Sequence, residues 1–244
     1  MDERLRFAVL LAGSLAGSIA RAGPPYVTDD PVPTDRGEWE IYPYVTGSRA
    51  DGSTDGEAGL DLNYGAGDQV QLTLVLPAAW QGDVGIQVGM GTIQAAAKYR
   101  FVTQRDGSPI EVAVFPRLFL PVAQGEPSAS HVSILLPVWF GHTGGPWYMF
   151  GGGGYQVNPG RGNRNFWTGG VALTRTLRDG IDVGGEVYGQ TPDADHSESF
   201  LGFNVGIVCA VSPHWSFLAS AGSGLVHARE QGQATFYVAM RADY

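Results

Sequence analysis

The sequence predicts an all-β protein: a closed antiparallel transmembrane β-barrel of about 12 strands, with short periplasmic turns and longer outer loops. Three observations support this fold class. From Gly37 to the end of the chain, apolar and polar side chains alternate with a period of two, which is typical of strands. The alternating runs are about 9 to 14 residues long, close to the roughly nine to eleven that a tilted membrane-crossing strand needs. Short and long connections also alternate along the chain.

Composition excludes several other classes of protein. Of 244 residues, 16% are charged and 36 are Gly, with a net charge of -9, whereas soluble domains carry about 25% charged residues and about 7% Gly. No run approaches the roughly 18 to 20 apolar residues of a transmembrane helix. With 6 Trp, 10 Tyr and 11 Phe, disorder is also excluded. The acidic chain has no Lys/Arg clusters, which argues against a nucleic-acid partner.

Two segments precede the barrel. Residues 1–22 have a charged start with Arg4 and Arg6, an apolar stretch, and a small-residue cleavage site at 20–22, so we expect a signal peptide and export; the alternative is an N-terminal helix. Residues 23–36 contain four prolines, which cannot join a ladder. This acidic leader either hangs in the periplasm or enters the lumen as a plug, and inward Arg and Lys residues favour the lumen.

Residues 37–244 form the predicted barrel. The closing strand shows the pattern best, because Phe236 and Val238 alternate with Tyr237 and Arg241 lies on the second face. The runs lie near 37–47, 57–66, 68–81, 91–103, 110–123, 131–141, 146–156, 165–177, 180–190, 199–211, 215–226 and 233–244. Tight turns are expected at 67–68, 104–108, 142–145, 178–180 and 212–214, and longer loops near 47–56, 81–90, 124–130, 157–164, 190–198 and 227–232. An even strand number with both ends on the short side is the layout of a bacterial outer-membrane barrel.

The free-energy cost of a charge in lipid decides which face of each strand points outward. A charge at the midplane of the lipid face costs about 2 to 4 kcal/mol, so the charge-free face points outward. Strand-end aromatics of that face then form interfacial girdles: Trp39, Trp80, Phe101, Trp147, Trp215 and Tyr244. Arg175 falls on the outward face and is expected near the rim. The candidates for lining the lumen are Glu38, Glu40, Tyr42, Tyr44, Asp61, Lys98, Arg100, Glu111, Phe115, Arg117, Phe119, Trp139, Tyr148, Asp182, Glu186, Tyr188 and Arg241.

Several motifs support a family resemblance. Thr28-Asp29-Asp30-Pro31, Gly37-Glu38-Trp39-Glu40-Ile41-Tyr42, the run from Leu60 to Gly65, Val70-Gln71-Leu72, Leu76-Pro77 and Arg117-Leu118-Phe119-Leu120-Pro121 resemble the bacterial outer-membrane barrel family named for the meta-pathway of phenol degradation. The resemblance is strongest over the first third of the chain. It implies passage of aromatic or other apolar small molecules, and it assigns no substrate residue.

The sequence therefore favours an outer-membrane channel for passive passage of small apolar or aromatic solutes, without covalent chemistry. Charged lumen residues either select the solute or form a salt-bridged plug, and lumen aromatics either guide it or fill space. The partners expected are outer-membrane lipid and lipopolysaccharide, the barrel-insertion machinery acting on the last strand that ends in Tyr244, and a small apolar solute.

Three alternatives remain open. A lipid-active barrel hydrolase would use His131 and Ser133, which share one face of a strand. A plugged structural barrel would have no transport, and a secreted soluble sandwich would need no membrane. Asp51 to Gly56 has calcium-like oxygen spacing but lacks a closing Glu, so a flexible outer loop is expected there. Cys209 is the single cysteine and the five His show no metal spacing, so no cofactor or metal is expected.

Overall fold

The computed structural model describes residues 24–50, 52–82, 85–122, 131–228 and 232–244. The predicted signal peptide lies outside these residues. The strands are β1 (Trp39–Ala50), β2 (Ser53–Gly67), β3 (Val70–Gly82), β4 (Gln87–Met90), β5 (Ile93–Val102), β6 (Glu111–Val114), β7 (Arg117–Leu120), β8 (Ser133–Gly144), β9 (Trp147–Val157), β10 (Phe166–Arg178), β11 (Ile181–Gln190), β12 (Phe200–Ser212), β13 (Trp215–Val226) and β14 (Ala234–Asp243). All pairings between these strands are antiparallel.

The sheet closes because β1 pairs with β14 as well as with β2. Two of the wall positions are each shared by two strands. β4 and β5 both pair with β3, and β6 and β7 both pair with β5 and β8. The wall therefore has 12 positions, which confirms the predicted barrel.

The break between β6 and β7 has a local cause. Pro116 lies in it, and proline has no N–H to donate to a ladder. The wall nevertheless stays bonded there, since the Pro116 carbonyl accepts from the Ala97 N–H at 3.2 Å. The break between β4 and β5 is spanned in the same way by the Gly91 N–H and the Pro77 carbonyl, at 2.9 Å.

The two ends of the barrel differ in their connections. At the end that holds Trp39 and Tyr244, residues 68–69, 145–146, 179–180 and 213–214 are two-residue turns. At the opposite end the connections at 83–86, 121–132, 158–165, 191–199 and 227–233 are longer. We call these the short-turn end and the long-loop end.

Two predicted connections are wrong. The longer connection predicted near 47–56 is a tight hairpin, because β1 continues to Ala50 and β2 begins at Ser53. Gly52, with a φ of +85°, allows the turn, and the Ser48 hydroxyl donates to Asp55 across the hairpin at 3.0 Å. A strand that projects beyond the lipid needs no apolar face. The tight turn predicted at 104–108 is instead a longer connection with a short 3₁₀ helix, Gln104–Asp106.

The outer face carries the apolar side chains. Leu72, Leu74 and Leu76 on β3 are all exposed, while the intervening polar side chains of that strand are buried. Aromatic rings lie near both ends of the barrel, with Trp39 4.9 Å from Tyr64 at the short-turn end. No helix in the described part of the chain is long and apolar enough to cross a membrane.

Arg175 lies on this outer face near the short-turn end. Its guanidinium carbon lies 5.1 Å from the centre of the Trp147 ring, and the two residues are paired in register. An arginine at this depth places its charge among the interfacial aromatics rather than at the midplane.

Candidate functional site: the lumen and its N-terminal leader

The leader, here residues 24–36, crosses the interior of the barrel. Its first residues contact the wall formed by β11 to β13, its middle contacts β5 and β7, and its last residues contact β2 and β3. It leaves the lumen at the short-turn end, where Arg36 forms an isolated bridge with Gly65. A segment that is too rich in proline for a ladder is thus placed as a string of single contacts.

Glu186 of β11 binds the start of the leader. Its two carboxylate oxygens accept hydrogen bonds from the Val27 N–H at 2.8 Å and the Thr28 N–H at 2.7 Å. The Asn204 side-chain amide donates to the same carboxylate at 2.6 Å. On β13, the Ser220 hydroxyl donates to the Pro25 carbonyl at 2.6 Å. Leader amides that have no strand partner are therefore satisfied by side chains of the wall.

Asp29 and Asp30 bind the middle of the leader to two cations. Asp29 accepts from the Lys98 ammonium at 3.0 Å and forms an ion pair with Arg117 through its second oxygen. Asp30 is fully buried and lies 3.9 Å from the same ammonium. The Phe115 ring lies under both cations, 4.8 Å from the Lys98 nitrogen and 4.5 Å from the Arg117 guanidinium carbon. Each cation therefore has both a carboxylate and a ring face as partners.

The two leader carboxyls differ in their tendency to ionise. Burial would raise the pKa of Asp29, but Lys98 and Arg117 together hold it below its ordinary value. Burial raises the pKa of Asp30 to about 8, and the negative charge of Asp29 adds to that rise. The Oδ1 atom of Asp30 accepts from the Val32 N–H at 2.5 Å, and its buried Oδ2 atom has no hydrogen-bond partner among the described residues.

The last part of the leader is bound by amides. Gln71 accepts from the Thr34 N–H at 2.9 Å, and its own amide donates to Asn63 at 2.7 Å and to Thr73 at 2.9 Å. These three side chains are buried. The network fixes the side-chain oxygen that receives the leader.

Glycines of the wall make room for the leader. A Cβ atom on Gly206 would lie 3.0 Å from Tyr26 Cε1 and 3.1 Å from Pro25 Cγ, and one on Gly184 would lie 2.7 Å from the Tyr26 hydroxyl oxygen. These distances are shorter than ordinary van der Waals contacts. The inner wall is thus fitted to the leader, which explains part of the high glycine content.

The structure brings most of the candidate residues together around this segment. Buried in the barrel are Glu40, Tyr42, Tyr44, Lys98, Glu111, Phe115, Trp139, Tyr148 and Glu186. Half-buried are Asp61, Arg100, Arg117, Phe119, Asp182, Tyr188 and Arg241. Glu38 differs from the rest, since it precedes β1 and is exposed at the short-turn end.

Several lumen charges are paired within the wall. Arg100 and Glu111 lie 3.0 Å apart, Arg241 and Asp243 lie 3.1 Å apart, and the Tyr42 hydroxyl donates to Glu40 at 2.8 Å. These pairs lie in the short-turn half of the barrel. The salt-bridged wall and the docked leader together occupy most of that half and leave a small cavity between them.

The leader separates two cavities within the described part of the barrel. The larger has a volume of about 500 Å³, lies in the long-loop half, and is lined by β1, β2, β3 and β11 to β14. The smaller, of about 130 Å³, lies between the leader and the β1 to β7 wall. Tyr26 and Val27 line both. We call the larger cavity the vestibule.

Sequence reasoning missed several residues at this site. Tyr26 and Asp29 of the leader were not assigned partners, and Tyr237 and Asn204 were not selected although both lie on inward positions of their strands. The period of two could have found the last pair. The leader contacts could not be found by periodicity, because an irregular segment has no register.

The two residues considered for hydrolysis lie in different surroundings. Ser133 is buried and its hydroxyl accepts from the Gln156 side-chain amide at 3.0 Å, while His131 is exposed before β8. Among the described residues, no group of three His, Cys, Asp or Glu is placed to hold a metal ion. Cys209 is a free thiol and half-buried.

Comparison with known proteins supports the barrel. No family model matches the chain, and no curated protein matches it. An outer-membrane channel from Pseudomonas putida F1 superposes with a TM-score of 0.69 at 14% identity, covering 91% of this chain and 99% of that one. The NanC porin gives 0.57 at 7% identity, covering 84% and 98%. The translocator domain of the autotransporter NalP from Neisseria meningitidis gives 0.50 at 10% identity, covering 84% and 86%. At such identities the likeness concerns the fold, and the fold is that of a bacterial outer-membrane β-barrel.

Proposed function

We propose that this protein is a passive channel of the bacterial outer membrane for small apolar or aromatic solutes, closed in the described state by its leader. One observation carries the proposal. The lumen contains a vestibule of about 500 Å³, and what separates it from the short-turn end is a segment without regular strand pairing along its length. A barrel whose interior is filled by its own wall would have no such space.

The contacts of the leader suit a removable plug. Water can replace its hydrogen bonds and ion pairs with Glu186, Lys98, Arg117 and Gln71. The Tyr26 ring of the leader also packs against Phe150, and release exposes this apolar contact. By contrast, the wall is closed by continuous backbone ladders. Opening by release of the leader therefore needs no rupture of the barrel.

The solute class rests on two supports. The resemblance to the phenol meta-pathway barrels implies aromatic or apolar solutes, and aromatic side chains such as Tyr44, Tyr188 and Tyr237 face the lumen. The P. putida protein and NanC are described as a channel and a porin, which agrees with a transport role. No catalytic role is proposed, given the surroundings of Ser133 and His131.

Assembly is expected to follow the usual route for such barrels. We propose that the insertion machinery recognises the last strand, β14, and the terminal Tyr244, which is exposed beside His214. The outer face then contacts lipid and, at the long-loop end, lipopolysaccharide.

Transport is tested with the full purified chain. In planar bilayers we expect discrete conductance steps, and liposomes that contain the protein should take up an uncharged aromatic solute faster than empty liposomes. Folding is checked by the different gel mobility of boiled and unboiled protein. Correctly folded protein without conductance and without faster uptake would refute the channel and leave a plugged structural barrel.

A further inference from the structure

The vestibule has a chemical character that the proposed function does not specify. Its floor is the leader at Pro25, Tyr26 and Val27, and its walls come from seven strands. It opens toward the long-loop end, so a solute that arrives from outside the cell meets it first. A volume of about 500 Å³ lies in the range of small-molecule sites, roughly 300 to 1,000 Å³.

The charge of the vestibule has one sign. Asp55 and Glu57 lie two residues apart on β2, on the same face, and both line the cavity. None of the described residues that line it is Lys or Arg. The lumen cations Lys98 and Arg117 border the smaller cavity on the other side of the leader. A cleft whose walls carry charge of one sign and have a low dielectric constant concentrates counter-ions.

Both carboxylates are held in place by hydroxyl groups. The Tyr44 hydroxyl donates to one oxygen of Glu57 at 2.6 Å, and the Ser48 hydroxyl donates to one oxygen of Asp55 at 3.0 Å. The Tyr44 ring is itself stacked on Tyr237, with centroids 5.9 Å apart. A carboxylate oriented in this way is prepared for a cationic partner, and the charge need not be neutralised by the wall.

The remaining lining fits an organic body rather than a bare ion. Tyr26, Tyr188 and Tyr237 supply aromatic rings, and Val27 and Ala79 supply apolar surface. Ring faces attract cations, and apolar surface binds the hydrocarbon part of a ligand. An anion of the same shape would meet Asp55 and Glu57 with unfavourable charge.

From this arrangement we infer that the vestibule is a binding site for small organic cations, namely primary ammonium compounds with an aromatic or apolar body. The inference specifies the solute class of the proposed channel. Passage of the solute after binding rests on the proposed channel function. Occupation itself requires the vestibule and not an open pore.

The test measures binding to the full chain in detergent by titration calorimetry. The probe is 2-phenylethylammonium, with 2-phenylethanol as the neutral and 3-phenylpropionate as the anionic comparison. We expect the ammonium compound to bind and the anion not to. Glu57→Gln keeps an acceptor for Tyr44 but removes the charge, so affinity should fall roughly tenfold, the usual loss for a hydrogen bond to a charged group.

The matched control is Glu38→Gln, the same change at an exposed carboxylate near the short-turn end. It should leave affinity unchanged. Two results would overturn the inference. One is equal binding of the ammonium compound and 3-phenylpropionate. The other is unchanged affinity for the ammonium compound when Asp55→Asn and Glu57→Gln are combined in a chain that keeps its heat-dependent gel shift. Because calorimetry does not depend on conductance, binding without conductance refutes only the channel, and conductance without selective binding refutes only the cation site.

Discussion

Replacing Asp29 by Asn is the sharpest test of the leader as a plug. Asp29 bridges Lys98 and Arg117, whose side chains are 4% and 18% exposed. Asparagine keeps the size of the side chain and removes its charge. While the leader is docked, the substitution leaves two largely buried cations without their shared counter-ion. When the leader is released, water solvates both cations, so the substitution destabilises only the docked state.

The expected size of the effect follows from the burial of the pair. Removing one partner of a buried ion pair costs about 3 to 5 kcal/mol. Loss of the Asp29 charge lowers the pKa of Asp30, which can then ionise 3.9 Å from the Lys98 ammonium. We therefore take the lower figure, about 3 kcal/mol. This corresponds to an increase of about 150-fold in the ratio of undocked to docked leader.

The assay is single-channel recording of the full chain in planar bilayers at fixed salt and pH. The D29N variant should show a higher open probability than the parent, with the same largest conductance step, because the wall of the pore is unchanged. The control is Asp68→Asn. Asp68 pairs with Arg36 at 3.7 Å, but both side chains are more than 70% exposed, and such pairs contribute about 0 to 1 kcal/mol.

If D29N folds with the usual heat-dependent gel shift but opens no more often than the parent, the ion pairs do not hold the leader. If D68N opens as often as D29N, the effect of charge removal is not confined to the buried contact.

Three further expectations can be checked with the same protein. Burial and the charge of Asp29 raise the pKa of Asp30 in the docked leader to about 8, with Lys98 and Glu40 also close, so docking takes up a proton between about pH 4 and 8. Docking should therefore weaken by up to about tenfold for each pH unit in this range. Channel recordings should show this trend, and Asp30→Asn should remove it. Gly206→Val places carbon atoms against Tyr26 and Pro25, so open probability should rise, and an unchanged value would contradict the close fit. On the lipid face, Val171→Arg near the middle of β10 should lower the free energy of unfolding by about 2 to 4 kcal/mol, and Leu177→Arg near the end of β10 by about 0 to 1 kcal/mol. Both residues are exposed to a similar degree. Equal losses for the two variants in urea titrations from lipid vesicles would contradict a midplane position of Val171.

The barrel could be predicted from sequence because its determinants are local and periodic. Alternation over β3 and β14 assigns each side chain to one face, and a closed wall follows once long two-faced strands occur in an even number. The sequence pattern did not predict the hairpin of β1 and β2, because the alternation is required only where a strand faces lipid. Ser53 to Gly56 extend beyond the apolar belt, so the lipid imposes no pattern on them.

The site was predictable only in part. Inward positions such as Glu186 and Lys98 follow from the period of two. Their partners in the leader do not, because Val27, Thr28 and Asp29 approach from a segment more than 60 residues away in sequence whose path is set by single side-chain contacts. An excess of inner glycine such as Gly184 was visible in the composition, but only the path of the leader shows what fills the space.

Charge links the two halves of the lumen. In the vestibule the carboxylates of Asp55 and Glu57 face the cavity, whereas beyond the leader Lys98 and Arg117 are compensated by Asp29, which belongs to the leader itself. The leader is therefore both obstacle and counter-ion, and its release exposes two positive charges below an acidic entrance. A cationic solute held at that entrance gains nothing from these charges, so it must pass them quickly or be repelled. Because Pro25, Tyr26 and Val27 of the leader form the floor of the vestibule, release of the leader also removes part of the binding site. A bound solute therefore favours the docked leader, and it has to leave the vestibule or move with the leader when the channel opens.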